Sequence, residues 1–149
     1  MGCPSLMYPN VGYLADLAKL KAKGGDIDPV DNLKNDHIYI FSGKSDQVVV
    51  TGVVNTTVEF YKKLGVADNH LLYDHDVNAG HAFITINQQD TQCDVTAAPY
   101  INYCPSTPQA QQIFKEIYGK INPAAKKPSG ELLEFDQSEF FDSPLTEHG

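Results

Sequence analysis

An aspartate and a histidine, each in a glycine-bearing stretch, carry the chemistry this chain offers: Ser42-Gly43-Lys44-Ser45-Asp46 and Asn78-Ala79-Gly80-His81-Ala82. A carboxylate beside an imidazole fixes its tautomer and stabilises the imidazolium that forms when the ring takes a proton. Asp46 and His81 therefore read as the acid and the general base of an acyl-transfer triad. Gly80 would allow the backbone turn that presents the His81 ring to a cleft. Each stretch also has a plainer reading, because such an Asp serves turns and helix caps and a Gly-His pair is usually structural. Their joint placement at two successive strand ends favours the catalytic one. Ser42 and Ser45 sit on no strained strand-to-helix elbow, so neither is read as the matching nucleophile.

Those strand ends follow from the hydrophobic pattern. His37-Ile38-Tyr39-Ile40-Phe41 is β-branched and aromatic and stops at Ser42-Gly43, which predicts a buried strand in a parallel sheet. Leu71-Leu72-Tyr73-Asp74 reads as a second short strand. Val11 to Lys23 reads as a helix, with Leu14, Leu17 and Ala18 on one face and Gly24-Gly25 as its stop. Thr51 to Leu64 is a second helix, with Val54, Val58 and Tyr61 on one side and Gly65 closing it. After a long loop, Gln109 to Ile121 makes a third, with Ile113, Ile117 and Ile121 in line. The order is βαβα, an α/β class with a parallel sheet flanked by helices. Two strands alone leave bare edges and an uncovered apolar face.

In α/β-hydrolases the triad runs nucleophile, acid, histidine, on loops at the C-terminal ends of strands. Asp46 and His81 match the last two, and a Gly-x-Ser-x-Gly turn is expected upstream of residue 1. The expectation is thus an incomplete fold, the C-terminal portion of an α/β-hydrolase catalytic domain over residues 1–122. Residues 123–149 read as a Pro/Gly linker with Pro123, Pro128 and Gly130, then an acidic extended tail from Glu131 to Phe141.

With 149 residues the chain could make one ordinary domain. Its net charge of −8 and the lack of any Lys/Arg cluster beyond Lys126-Lys127 argue against nucleic acid. No apolar run approaches the roughly 20 residues of a membrane span, and the N-terminus lacks the regions of a signal peptide. Of the three cysteines, Cys93 and Cys104 flank a loop whose closure would be worth about 2–3 kcal/mol, although two free thiols would also fit. Cys3 is left over. No cysteine or histidine spacing pre-arranges a zinc tetrahedron. Asp74-His75-Asp76 offers metal-ligand types, but neighbours on an extended chain point to opposite sides and converge poorly on one ion. His37, His70 and His148 read as solvated. Asn55-Thr56-Thr57 fits a glycosylation acceptor that a helix face makes incidental.

Several stretches together resemble the extracellular poly(3-hydroxybutyrate) depolymerases with a single-domain α/β-hydrolase catalytic core. They are Ile38 through Asp46, Ala79-Gly80-His81-Ala82-Phe83, Cys93, Ala98-Pro99-Tyr100-Ile101-Asn102-Tyr103-Cys104 and Ile117-Tyr118-Gly119. The resemblance runs from about Cys3 to about Phe141, and the Cys-bounded Pro-Tyr-Ile loop is more specific than the triad loops. It implies Asp46 as triad acid, His81 as general base, a Cys93–Cys104 disulfide, and a partner for Cys3 before this chain begins. It further implies a serine carboxylic ester hydrolase that is secreted, needs no cofactor or metal, and acts on polyester or short-chain ester. The missing N-terminal half of the domain, with serine and oxyanion hole, would lie upstream, leaving this chain alone inactive. A feruloyl or acetyl ester remains an open substrate, and a non-catalytic binding module on a hydrolase scaffold is the alternative.

Overall fold

Strand β1 (Ile38–Phe41) pairs in parallel with β2 (Leu71–Asp74), Ile38 opposite Leu71 and Phe41 opposite Asp74, in a computed structural model. It describes residues 8–105, 108–127 and 129–140. Cys3, Phe141 and His148 lie outside the described residues.

Parallel neighbours need a crossover, and α2 (Thr51–Lys63) supplies it. It ends where Gly65 takes a left-handed φ of 97°, a conformation that costs a glycine little. Helix α1 (Val11–Gly24) packs on α2. Asn10 caps it by accepting a bond from the Tyr13 N–H at 3.0 Å, and Gly25, at φ 80°, closes the last turn.

The stretch expected as one long loop holds a second parallel sheet. Strands β3 (Phe83–Thr85) and β4 (Thr91–Gln92) both pair in parallel with the central β5 (Ile101–Tyr103). The described residues therefore contain five strands in two sheets rather than two strands.

Helix α3 (Gln109–Tyr118) packs against both sheets. Its buried Gln109 accepts a bond from the Ile84 N–H of β3 at 2.8 Å, and Gln112 accepts one from the Tyr39 hydroxyl of β1 at 3.1 Å. Burial, with the Asp74 carboxylate near, pushes the Tyr39 phenol up to about 12, so it stays a donor across the working range. Gly119, at φ 70°, ends the helix and leaves Ile121 outside it, against the expectation of a helix running that far.

The α/β class with parallel sheets and flanking helices stands, with three corrections beyond those already given. β1 is half-buried along its length rather than buried. Within the segment read as an extended tail, Gln137–Phe140 form a short 3₁₀ turn. His37 and His70 are not simply solvated: their rings stack at 4.4 Å, and His37 Nδ1 lies 3.2 Å from Glu116 Oε1 of α3. The inner core is small. Ala79, Ile84 and Cys104 are its buried centre, with Phe41, Val77 and Cys93 packed around them.

Candidate active site

Beyond β1 the backbone ladder does not stop. The Ser42 N–H donates to Asp74 O at 2.9 Å, Lys44 N–H to Val77 O at 2.9 Å, and Ser45 N–H to Ala79 O at 3.0 Å. The loop leading to Asp46 and the loop leading to His81 are thus bonded to each other along their length. Gly43 permits this approach, since a Cβ there would meet Ala79 O at 2.2 Å. Gly80 is needed for the same reason and not for a turn: its φ is not left-handed, and a Cβ would meet Val95 O at 2.4 Å.

At the end of this ladder Asp46 Oδ2 accepts from His81 Nδ1 at 2.9 Å. Its other oxygen, Oδ1, accepts the N–H groups of Val48 and Val49, each at 2.9 Å. One oxygen of this aspartate thus serves the turn and the other meets the imidazole. Burial alone would raise the Asp46 carboxyl. The Val49 N–H, the His81 ring and the Val48 N–H outweigh burial and hold it below its ordinary value. The Asp46 side chain is only 10% exposed whereas His81 is 42% exposed, so the carboxylate is shielded and the imidazole is reachable. With Nδ1 committed to the carboxylate, the neutral ring carries its lone pair on Nε2, the nitrogen free to take a proton from outside.

Two neighbours of His81 come from the segment between the cysteines. The His81 N–H donates to Thr96 Oγ1 at 2.9 Å, and the Tyr100 ring sits edge-on to the imidazole with centroids 6.2 Å apart. Tyr100 is a non-glycine residue at φ 60°, an uncommon conformation of the kind that gathers at functional sites. Cys93 and Cys104 are joined in a disulfide. The hydrogen bonds made by Thr96 and Asn102 had no signal in spacing or residue type.

The other candidates disperse. The Ser42 hydroxyl donates to Thr51 Oγ1 at 3.0 Å and the Ser45 hydroxyl to Asn78 Oδ1 at 2.7 Å, so neither is bonded to His81. Asp76 pairs with Lys44 at 3.1 Å, His75 stacks on Tyr73, and Asp74 Oδ1 turns toward the Asp76 N–H. Asp74, His75 and Asp76 thus face different partners. Among the described residues no three His, Cys, Asp or Glu side chains gather as ion ligands, and no helix is long and apolar enough to cross a membrane. Asn55 lies on α2, where its side chain accepts from the Tyr73 hydroxyl at 2.8 Å.

No family model matches the chain. Its sequence is 38% identical over 130 residues to the poly(3-hydroxybutyrate) depolymerase of Delftia acidovorans, covering 86% of this chain and 25% of that protein. It is 32% identical over 143 residues to the polyhydroxybutyrate depolymerase of Talaromyces funiculosus, covering 92% of this chain and 39% of that protein. The backbone superposes on the crystal structure of PHB depolymerase from Penicillium funiculosum with a TM-score of 0.75 at 30% identity, over 87% of this chain and 41% of that one. A serine-to-alanine variant of PHB depolymerase complexed with an R3HB trimer matches over the same shares with a TM-score of 0.76. The chain spans between a quarter and two-fifths of the length of these curated relatives.

Proposed function

We infer that this chain, a homologue of part of the poly(3-hydroxybutyrate) depolymerases, supplies the acid and the base of a serine-type hydrolase of polyester or oligoester bonds. The observation that carries the reading is the 2.9 Å contact between Asp46 Oδ2 and His81 Nδ1, made by a carboxylate whose second oxygen is already held by two backbone N–H groups. The carboxylate cannot rotate without losing those bonds, so the ring it orients is held as well.

In the proposed reaction a serine hydroxyl attacks the ester carbonyl, and His81 Nε2 takes its proton. Asp46 steadies the imidazolium and stays ionised throughout. His81 returns the proton to the departing alkoxide. A water molecule, deprotonated in turn by His81, then attacks the acyl-enzyme, and His81 returns that proton to the serine oxygen as the acid leaves. The nucleophile is assigned to a serine outside these 149 residues, a reading supported by the share of the relatives that the chain covers and by the engagement of Ser42 and Ser45 elsewhere. Secretion is proposed on the Cys93–Cys104 disulfide, because disulfides persist mainly in oxidising compartments.

A serine-reactive phosphonate tests this reading on the protein in its native, full-length form. Labelling that is lost in His81→Ala is the expected result. Labelling that persists in His81→Ala would refute the role of this histidine, and no labelling of the native protein would favour a non-catalytic binding module on the same scaffold.

A further inference from the structure

The segment between the two cysteines is tied to His81 more closely than a structural loop requires. We propose that Thr96 and Asn102 are positioning residues for His81, holding the histidine loop from behind while Asp46 holds the ring from the side. The proposal rests on the reading of His81 as the general base and adds the residues that set where its backbone lies.

Asn102, on the central strand β5, has no exposed surface, and its Nδ2 donates to Cys93 O at 3.0 Å and to Val95 O at 2.6 Å. That one amide closes the start of the intercysteine segment against its end. The carbonyl of Cys93 in turn accepts the Gly80 N–H at 2.8 Å, and Thr96 Oγ1 accepts the His81 N–H at 2.9 Å. Consecutive amides of the histidine loop are therefore bonded to a segment that Asn102 fixes. Val95 O and Thr96 Oγ1 also lie so close to Gly80 that a Cβ would meet them at 2.4 and 2.8 Å, which leaves the loop no slack.

The chemistry of Asn102 supports a specific use. Its Oδ1 is buried with no partner among the described residues, a cost that an apolar side chain of similar volume would avoid. The two donor bonds are what an apolar residue there would lose. The Cys93–Cys104 bond anchors the same segment covalently, so the disulfide and the amide act on one loop.

The test reads His81 directly, without relying on hydrolysis. Thr96→Val removes the acceptor at nearly constant volume, Thr96→Ser keeps it, and Asn102→Leu removes the clamp. The readout is NMR of isotope-labelled histidine, following solvent exchange of the His81 Nδ1–H that bonds Asp46. We expect that exchange to be roughly five- to tenfold faster in Thr96→Val, the loss of one neutral hydrogen bond's worth of restraint, and at least as fast in Asn102→Leu, which loses two, with Thr96→Ser near the native rate. Should Asn102→Leu fail to fold, the Thr96 pair decides alone. Native exchange in Thr96→Val, or exchange in Thr96→Ser as fast as in Thr96→Val, would overturn the proposal. In the hydrolysing protein, kcat should fall in Thr96→Val at unchanged KM. The expected exchange pattern in a protein that hydrolyses no ester would uphold the positioning and remove the hydrolase reading.

Discussion

Replacing Asp46 by Asn keeps the shape of the site and changes one charge, so its effect can be worked from three hydrogen bonds. The carboxylate accepts from Val48 N–H, Val49 N–H and His81 Nδ1, all at 2.9 Å. An amide has a single acceptor oxygen. If that oxygen faces the ring, the NH₂ group confronts two backbone donors. If it keeps the two backbone bonds, the NH₂ group faces His81 Nδ1 and makes that nitrogen the acceptor. The second arrangement sacrifices less, and it moves the imidazole proton to Nε2. The base then carries a proton where it needs a lone pair, and kcat should fall on the order of 10⁴-fold. Stability should fall by about 1–2 kcal/mol at neutral pH, because a charge-assisted bond becomes a neutral one. The pH dependence has a fixed sign. The folded-state value of Asp46 is lowered, so its contribution is fully present above the unfolded carboxylate value of about 3.9 and is lost as pH falls through the lower folded value. Asn cannot titrate, and the gap in thermal midpoint between native and Asp46→Asn should close below about pH 4. Hydrolysis of a soluble chromogenic butyrate ester gives the rate, and thermal unfolding at several pH values gives the gap. A rate within tenfold of native, or a gap unchanged in acid, would refute the role assigned to this carboxylate.

Three further outcomes follow from the fold. Gly43→Ala forces a Cβ onto the Ala79 carbonyl, which is backbone and cannot swing aside, so it should cost about 3 kcal/mol and weaken the Asp46–His81 contact. Gly25→Ala, where nothing lies within 4 Å and only the left-handed φ is strained, should cost about 1–2 kcal/mol and leave that contact intact; thermal midpoints with histidine NMR distinguish the two. Replacing Cys93 and Cys104 by Ser should cost about 3 kcal/mol for a bridge spanning 11 residues, measured by denaturant unfolding under oxidising conditions.

The parts legible in the sequence are those with enough residues to show a period. Ile38 to Phe41 and Leu71 to Asp74 are apolar runs bounded by turn formers, and α1 and α2 carry a helical stripe with glycine stops. Strands β3, β4 and β5 are three, two and three residues long, too short for alternation to appear, and they sit among turn formers. Ile121 repeats the spacing of Ile113 and Ile117, but Gly119 breaks the helix first. For the candidate site, residue type and order were enough to single out Asp46 and His81, which the fold brings within 2.9 Å. Nothing local could reveal that Asp46 divides its oxygens between backbone and ring, or that Thr96 and Asn102 stand behind the histidine. The His37 contact with Glu116 joins residues 79 apart, a distance over which residue type alone carries no signal.

The backbone ladder from Ser42 to Ala79 bears on how such a site can change over generations. The alignment of Asp46 and His81 is held by amide groups, which every residue but proline possesses. The exposed Lys44 side chain can drift without moving Asp46 relative to His81, whereas the two glycines, Gly43 and Gly80, are where drift is forbidden. A lineage could therefore exchange side chains around this pair while inheriting the distance between Asp46 and His81 unaltered.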